Sequence, residues 1–101
     1  LTDDDEQYLK VLRQVAAIFR RLGQHERASA LWKKILAIAA DDLVTSEELA
    51  KYYEHRAKDL GSAESVTRRA LAIAWHSRSP KAPALEHRLK RIERKVLSGA
   101  P

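Results

Sequence analysis

The segment KKILAIA at positions 33–39 recurs almost unchanged as RRALAIA at 68–74, an offset of 35 residues. Ala28 and Ala63 keep the same offset, each seven residues before a matched apolar position. Self-similarity with a period of a few tens of residues is typical of stacked repeats, in which one unit cannot bury its apolar face alone. The sequence therefore predicts a repeat architecture. Because repeat scaffolds usually bind other molecules, it also favours binding over catalysis.

The hydrophobic pattern predicts helices only, and no segment alternates apolar and polar residues as a strand would. In the first helix, Tyr8, Leu12, Val15, Phe19 and Leu22 are spaced four, three, four and three residues apart, which predicts one buried face. The five predicted helices cover about 4–22, 25–39, 46–58, 63–76 and 84–97.

Turn and capping residues set the expected ends of these helices. Gly23 follows the first helix, where a left-handed cap is commonly needed. Thr45, with Glu48 three residues later, resembles a capping box that starts the third helix. The segment 60–62 is predicted to be the turn before the fourth helix, and the proline-containing segment 77–83 to be the linker before the fifth.

Charge and composition narrow the class of protein. Residues 1–59 hold 10 Lys/Arg and 11 Asp/Glu, whereas residues 60–101 hold 9 and 3, so the net charge of +5 arises entirely in the second part. Such a basic surface is either a solvated exterior or a patch for nucleic acid or an acidic partner. The chain has no cysteine, which excludes disulfides and thiolate metal sites and fits a cytoplasmic setting. The longest apolar runs, 35–40 and 70–75, are too short to span a bilayer, so we expect no membrane partner.

These observations predict an all-α fold. Four helices form two similar antiparallel hairpins, repeat one at about 4–39 and repeat two at about 46–76. A fifth helix at about 84–97 caps the exposed end of the stack. The expected architecture is thus one domain over 1–101, an α-solenoid of two hairpins plus a C-terminal capping helix.

The spacing resembles the tetratricopeptide repeat, a helix pair of about 34 residues with small and large apolar residues at fixed sites. The resemblance implies a right-handed superhelix whose first helices line a partner-binding groove. Unit two departs from the pattern by one extra residue, predicted in the turn around 57–59, and by the absence of a glycine equivalent to Gly23. The matching positions are Leu12, Val15, Ala16, Phe19, Gly23, Ala28, Trp32, Ile35 and Leu36 in unit one, and Leu49, Ala50, Tyr53, Ala63, Thr67, Ala70 and Leu71 in unit two.

A narrower resemblance is carried by LAKYYEHR at 49–56, by the Ala-Leu pair at 70–71 and by LEHRL at 85–89. These segments are similar to the C-terminal region of bacterial ribonuclease-H-like exonuclease-domain proteins. The resemblance implies an accessory module of a larger nuclease-like protein. It implies no activity for these residues, because the acidic metal-binding core of such nucleases is not among them.

Basic residues are the candidate partner-binding positions. On the first helix of each repeat, by analogy with the tetratricopeptide groove, they are Lys10, Arg13, Arg20, Arg21, Lys51 and His55; on the fifth helix they are Arg88, Arg91, Arg94 and Lys95. Cations of this kind suit an acidic peptide, a C-terminal carboxylate or a phosphate backbone. The alternative is that both sets are solvated helix surface.

Two repeated triplets, EHR at 54–56 and at 86–88, supply two Glu and two His, which are residue types that bind metals. Adjacent helical residues point about 100° apart, so each Glu–His pair diverges. We therefore expect Glu54–Lys58 and Glu86–Lys90 to be ordinary four-residue salt bridges, and we expect no metal and no cofactor.

The sequence thus favours a non-catalytic module that binds a protein or peptide, including an adjacent domain of the same polypeptide. The alternative is a basic nucleic-acid-binding accessory domain that guides substrate to a nuclease. Because two repeats are fewer than the three usually needed for stability, self-association is a further expectation.

Overall fold

The computed structural model describes residues 1–99, and all regular secondary structure within them is helical. This confirms the all-α class and the five predicted helices. The chain divides into two compact units, residues 1–40 and the residues from 41 onward. The elements are α1 (Asp3–Arg21), α2 (His25–Ile38), α3 (Leu43–Lys51), a π-helical turn (Tyr52–Arg56), α4 (Leu60–His76) and α5 (Ala82–Leu97).

The first unit is a hairpin of α1 and α2. Thr2 caps α1 by accepting a hydrogen bond from the backbone N–H of Asp5 at 3.1 Å, and the Asp5 carboxylate accepts one from the N–H of Thr2 at 3.1 Å. Hydrogen bonding from the Thr2 backbone N–H, and next from the Thr2 side chain, lowers the pKa of the Asp5 carboxyl. After α1, Gly23 takes the predicted left-handed conformation, with φ of 77°.

The buried face of α1 differs from the predicted one. Leu9, Leu12 and Ala16 are buried, whereas Tyr8 and Leu22 are exposed. Of the five residues predicted to point inward, only Leu12 is fully buried, because α2 packs on the face one position further round the helix.

Two predicted helix starts in the second unit are wrong, and in both cases an earlier aspartate is the cap. Asp42 accepts a hydrogen bond from the backbone N–H of Thr45 at 3.1 Å, so α3 begins at Leu43 and Thr45 lies buried inside it. Asp59 accepts hydrogen bonds from the backbone and hydroxyl of Ser62 at 3.0 and 2.7 Å. The predicted turn at 60–62 is therefore the first turn of α4.

The internal repeat is visible in the burial of α2 and α4. Four pairs of buried residues share the offset of 35: Ala28 with Ala63, Trp32 with Thr67, Ile35 with Ala70, and Ala39 with Ala74. The second helices of the two units are therefore buried at equivalent positions. Thr67 replaces the large Trp32, and its buried hydroxyl donates to the carbonyl of Ala63 at 2.7 Å.

The extra residue of the second unit lies in the π-helical turn, not in the connection where it was predicted. The connections 22–24 and 57–59 have equal length, and Lys58, with φ of 55°, takes the place of Gly23. The equivalent closing hydrogen bonds are Gln24 N–H to Phe19 C=O and Asp59 N–H to Tyr53 C=O, both 2.8 Å. The second bond spans one residue more, as an insertion within 52–56 requires.

α5 closes the second unit by packing on α4. Ala70 and Ala74 form a buried cluster with Ala82 and Leu85 of α5, and Leu43 and Leu71 pack against it. This cluster is a core of the second unit. The stacking of the two hairpins into a right-handed superhelix stays a prediction.

Candidate functional site

A buried carboxylate lies where the π-helical turn meets α5. The side chain of Glu54 is 0% exposed, although an isolated buried carboxylate is strongly disfavoured. Arg91 donates to both of its oxygens, from Nε to Oε2 at 3.1 Å and from Nη2 to Oε1 at 2.8 Å. Arg88 donates to Oε1 at 3.3 Å and Lys95 to Oε2 at 2.5 Å. We call Glu54, Arg88, Arg91 and Lys95 the Glu54 cluster.

Helical spacing explains why α5 supplies all three cations. Arg88, Arg91 and Lys95 follow one another by three and four residues, which places them on one face of α5. The inserted residue of the π-helical turn changes the direction of the side chains that follow it, and Glu54 lies within this turn. The cluster therefore joins an irregular turn to the last helix.

The electrostatics of the cluster keep Glu54 ionised. Burial alone would raise the pKa of Glu54, but the hydrogen bonds from Arg91 and Lys95 outweigh it and lower the pKa to about 2. The hydrogen bond to Glu54 in turn raises the pKa of Arg91. Near neutral pH the Glu54 carboxylate is ionised and has no proton to transfer. Its role is therefore to anchor the π-helical turn to α5.

The cluster carries more positive than negative charge. Three cations surround one carboxylate, and the side chain of Arg91 is 33% exposed while that of Lys95 is 36% exposed. His55 lies at the edge, with Nε2 3.5 Å from Oε1 of Glu54. An anion approaching this face would meet partly solvated donors that are already fixed in position by Glu54.

The remaining predicted partner-binding residues are distributed over several surfaces. Arg94 is exposed on α5, and Lys51 lies on α3 with Nζ 3.5 Å from Glu48. The four candidates of α1 are all exposed: Lys10, Arg13, Arg20 and Arg21. The structure therefore brings Arg88, Arg91 and Lys95 together around Glu54, with His55 beside them, and leaves the α1 candidates as exposed cations of the first unit.

Of the two predicted four-residue salt bridges, one is confirmed and one is wrong. Lys90 lies 3.3 Å from Glu86 as expected. Glu54 is held by α5 instead of by Lys58, because its side chain points into the second unit.

An exposed apolar stripe on α1 is a second candidate surface, and the sequence analysis missed it. Tyr8, Val11, Ile18 and Leu22 are between 46% and 65% exposed, and Val15 is half-buried. They follow one another by three and four residues, so they line one face of α1. This face is distinct from the Leu9, Leu12, Ala16 face that packs in the first unit. We call these five residues the α1 stripe.

Within 1–99, no three His, Asp or Glu side chains come together in a way that would hold a metal ion. In the same range, none of the helices combines the length and the apolar character needed to cross a membrane.

Comparisons with known proteins identify no family for this chain. No protein-family model matches the chain, and no curated protein and no solved structure matches it either.

Proposed function

We propose that this chain is a non-catalytic helical-repeat module that binds a protein through α1. The observation that carries the proposal is the α1 stripe, which leaves a continuous apolar helix face in solvent. Contiguous apolar surface of this kind marks interaction sites in folded proteins. A helix with two apolar faces can bury one face in its own unit while the other face binds a partner.

The resemblance to tetratricopeptide repeats supports the same role. Repeat units present extended helix surfaces to partners, and the matched burial of α2 and α4 is what two copies of one unit would produce. By the narrower resemblance, the module is the C-terminal accessory part of a larger bacterial nuclease-like protein. Its partner is then a separate protein or an adjacent domain of the same polypeptide.

Site-specific photo-cross-linking in cells tests this function. A photoreactive phenylalanine analogue replaces Val11, the middle of the α1 stripe, and a second variant carries it at Lys34, an exposed position of α2. We expect a protein adduct of defined mass from position 11 and none from position 34. Equal adduct patterns at both positions, or none at position 11, would overturn the proposal.

A second candidate function is nucleic-acid binding through α5. It is favoured by the charge excess of the Glu54 cluster, three cations to one carboxylate, with Arg94 exposed on the same helix. Phosphate groups bind Lys and Arg side chains without regard to sequence, and such binding weakens steeply with salt. The salt dependence of strand binding separates this function from protein binding.

A further inference from the structure

The distribution of charge along α1 suggests which protein covers the α1 stripe. The first turn of α1 is acidic, with Asp3, Asp4, Asp5 and Glu6, and the last turn is basic, with Arg20 and Arg21. Between these turns, Gln7 and Gln14 beside the stripe carry no charge, whereas Lys10, seven residues after Asp3, is an exposed cation on the flank of Asp3. The two ends of α1 therefore differ in charge, acidic at the N-terminal end and basic at the C-terminal end.

We infer that the α1 stripe binds the α1 stripe of a second copy of this chain, in an antiparallel pair with two-fold symmetry. This inference rests on the proposed docking role of α1 and names its partner. A two-fold interface uses the same surface on both subunits, so that surface has to be complementary to itself. An antiparallel pair satisfies this condition because it places each acidic end against a basic end. A parallel pair would place like charges together.

Helical geometry brings the required residues to one edge of the interface. Asp3 and Arg21 are eighteen residues apart, which is about five turns, so they lie on the same flank of α1 about 27 Å apart. In an antiparallel helix pair, this flank of one helix runs beside the same flank of the other. Each end of the pair therefore brings the acidic first turn of one copy to Arg21 of the other.

The apolar residues also fit this arrangement. The stripe has alternating spacings of three and four residues, the pattern of the seam between two paired helices. In the antiparallel register, Val11 packs beside Val15 of the second copy and Tyr8 beside its Ile18. The apolar layers thus coincide with the register that pairs the charged ends.

Sedimentation of the full chain from low micromolar to millimolar concentration measures the pairing. We expect a reversible monomer–dimer equilibrium. The double variant Val11→Glu with Ile18→Glu should stay monomeric, because it places four carboxylates in the seam. The matched control is Ala30→Glu with Ala37→Glu, which adds the same charges at exposed positions of α2 with the same spacing of seven residues. It should dimerise like the original chain. Circular dichroism confirms that each variant is folded.

A charge exchange tests the antiparallel direction. One variant carries Asp3→Lys, and the other carries Arg21→Glu, the two residues that share one flank of α1. Alone, each has like charges at both ends of the pair and should dimerise more weakly, on the order of tenfold. An equimolar mixture should form the heterodimer with the original affinity, since both ends are again complementary. A general weakening of the helix would not be reversed by mixing.

The possible failures distinguish this inference from the proposed function. A chain that stays monomeric at millimolar concentration overturns the inference, as does a dimer that survives Val11→Glu with Ile18→Glu or a mixture that does not recover. If position 11 cross-links in cells to a different protein while the chain is monomeric, the docking role stands and the second copy is the wrong partner. If position 11 gives no adduct and the chain is monomeric, both proposals fail.

Discussion

Arg91 of α5 forms a two-pronged pair with Glu54 of the π-helical turn, Nε to Oε2 at 3.1 Å and Nη2 to Oε1 at 2.8 Å. The planar guanidinium matches the two carboxylate oxygens, which makes such a pair stronger and more directional than a single contact. The two residues are 37 positions apart in the chain. This pair therefore fixes the last helix to the only π-helical turn within residues 1–99.

Glu54→Gln should destabilise the chain by about 3 kcal/mol, at the lower end of the range for breaking a buried ion pair, because the three surrounding cations are partly solvated. Urea unfolding followed by circular dichroism measures this loss. The control is Glu86→Gln, which removes an exposed pair with Lys90 and should change stability by less than about 0.5 kcal/mol. Equal effects of the two substitutions would show that Glu54 is no anchor.

The same carboxylate predicts an acid-dependent loss of stability. The pKa of Glu54 is about 2 in the folded chain, below its ordinary value of 4.5. A depressed pKa contributes stability above the unfolded value, and that stability is lost as pH falls toward the folded value. We expect the free energy of unfolding to fall between about pH 5 and pH 2, by about 3 kcal/mol from this group. Glu54→Gln should flatten this part of the profile. An unchanged slope in that variant would assign the acid sensitivity to other carboxylates.

The Glu54 cluster also shows the limits of sequence analysis. The rule that opposite charges four residues apart form salt bridges pairs Glu54 with Lys58, because the rule considers only neighbours on one helix. The actual partner Arg91 is 37 residues away, and the contact depends on how a π-helical turn directs one side chain. The spacing of Arg88, Arg91 and Lys95 did predict that the three cations share one face.

The sequence predicted correctly the features that depend on local periodicity. The offset of 35 predicted the two hairpins, and the same offset recurs in the buried positions of α2 and α4. It predicted less well the features for which the sequence allows two alternatives. α1 has apolar residues on two faces, and period alone does not say which one α2 covers. The caps Asp42 and Asp59 were missed because Thr45 and the glycine at 61 gave competing local signals.

Three substitutions that remove or introduce a glycine test the turn geometry. Gly23→Ala should destabilise by about 1 kcal/mol, because φ is 77° while a Cβ would meet nothing within 4 Å, so the cost is conformational. Lys58→Gly should be stabilising or neutral, since Lys58 has φ of 55°. Gly61→Ala is the control with opposite sign: it lies in α4 and should stabilise by about 0.5–1 kcal/mol. Thermal unfolding measures all three. A stabilising Gly23→Ala would contradict the left-handed turn.

Nucleic-acid binding by the alternative function has to be tested without damaging the Glu54 cluster. Reversing Arg88 or Arg91 would leave Glu54 buried beside new carboxylates and would unfold the second unit. The suitable variant is Arg69→Glu with Arg94→Glu, two exposed cations of α4 and α5. The matched control is Arg27→Glu with Lys34→Glu on α2, which changes the net charge equally.

If α5 holds a phosphate backbone, a fluorescent single strand should bind the full chain at low salt, with an affinity that falls steeply as salt rises. Each lost phosphate contact lowers the logarithmic salt slope by about 0.7, so Arg69→Glu with Arg94→Glu should lower it by about 0.7 if Arg94 alone contacts the strand and by about 1.4 if both residues do. The α2 control should leave the slope nearly unchanged, because its cations lie on neither α4 nor α5. Equal losses in both variants would indicate attraction by net charge alone. No detectable binding at low salt would remove the alternative and leave protein binding through α1.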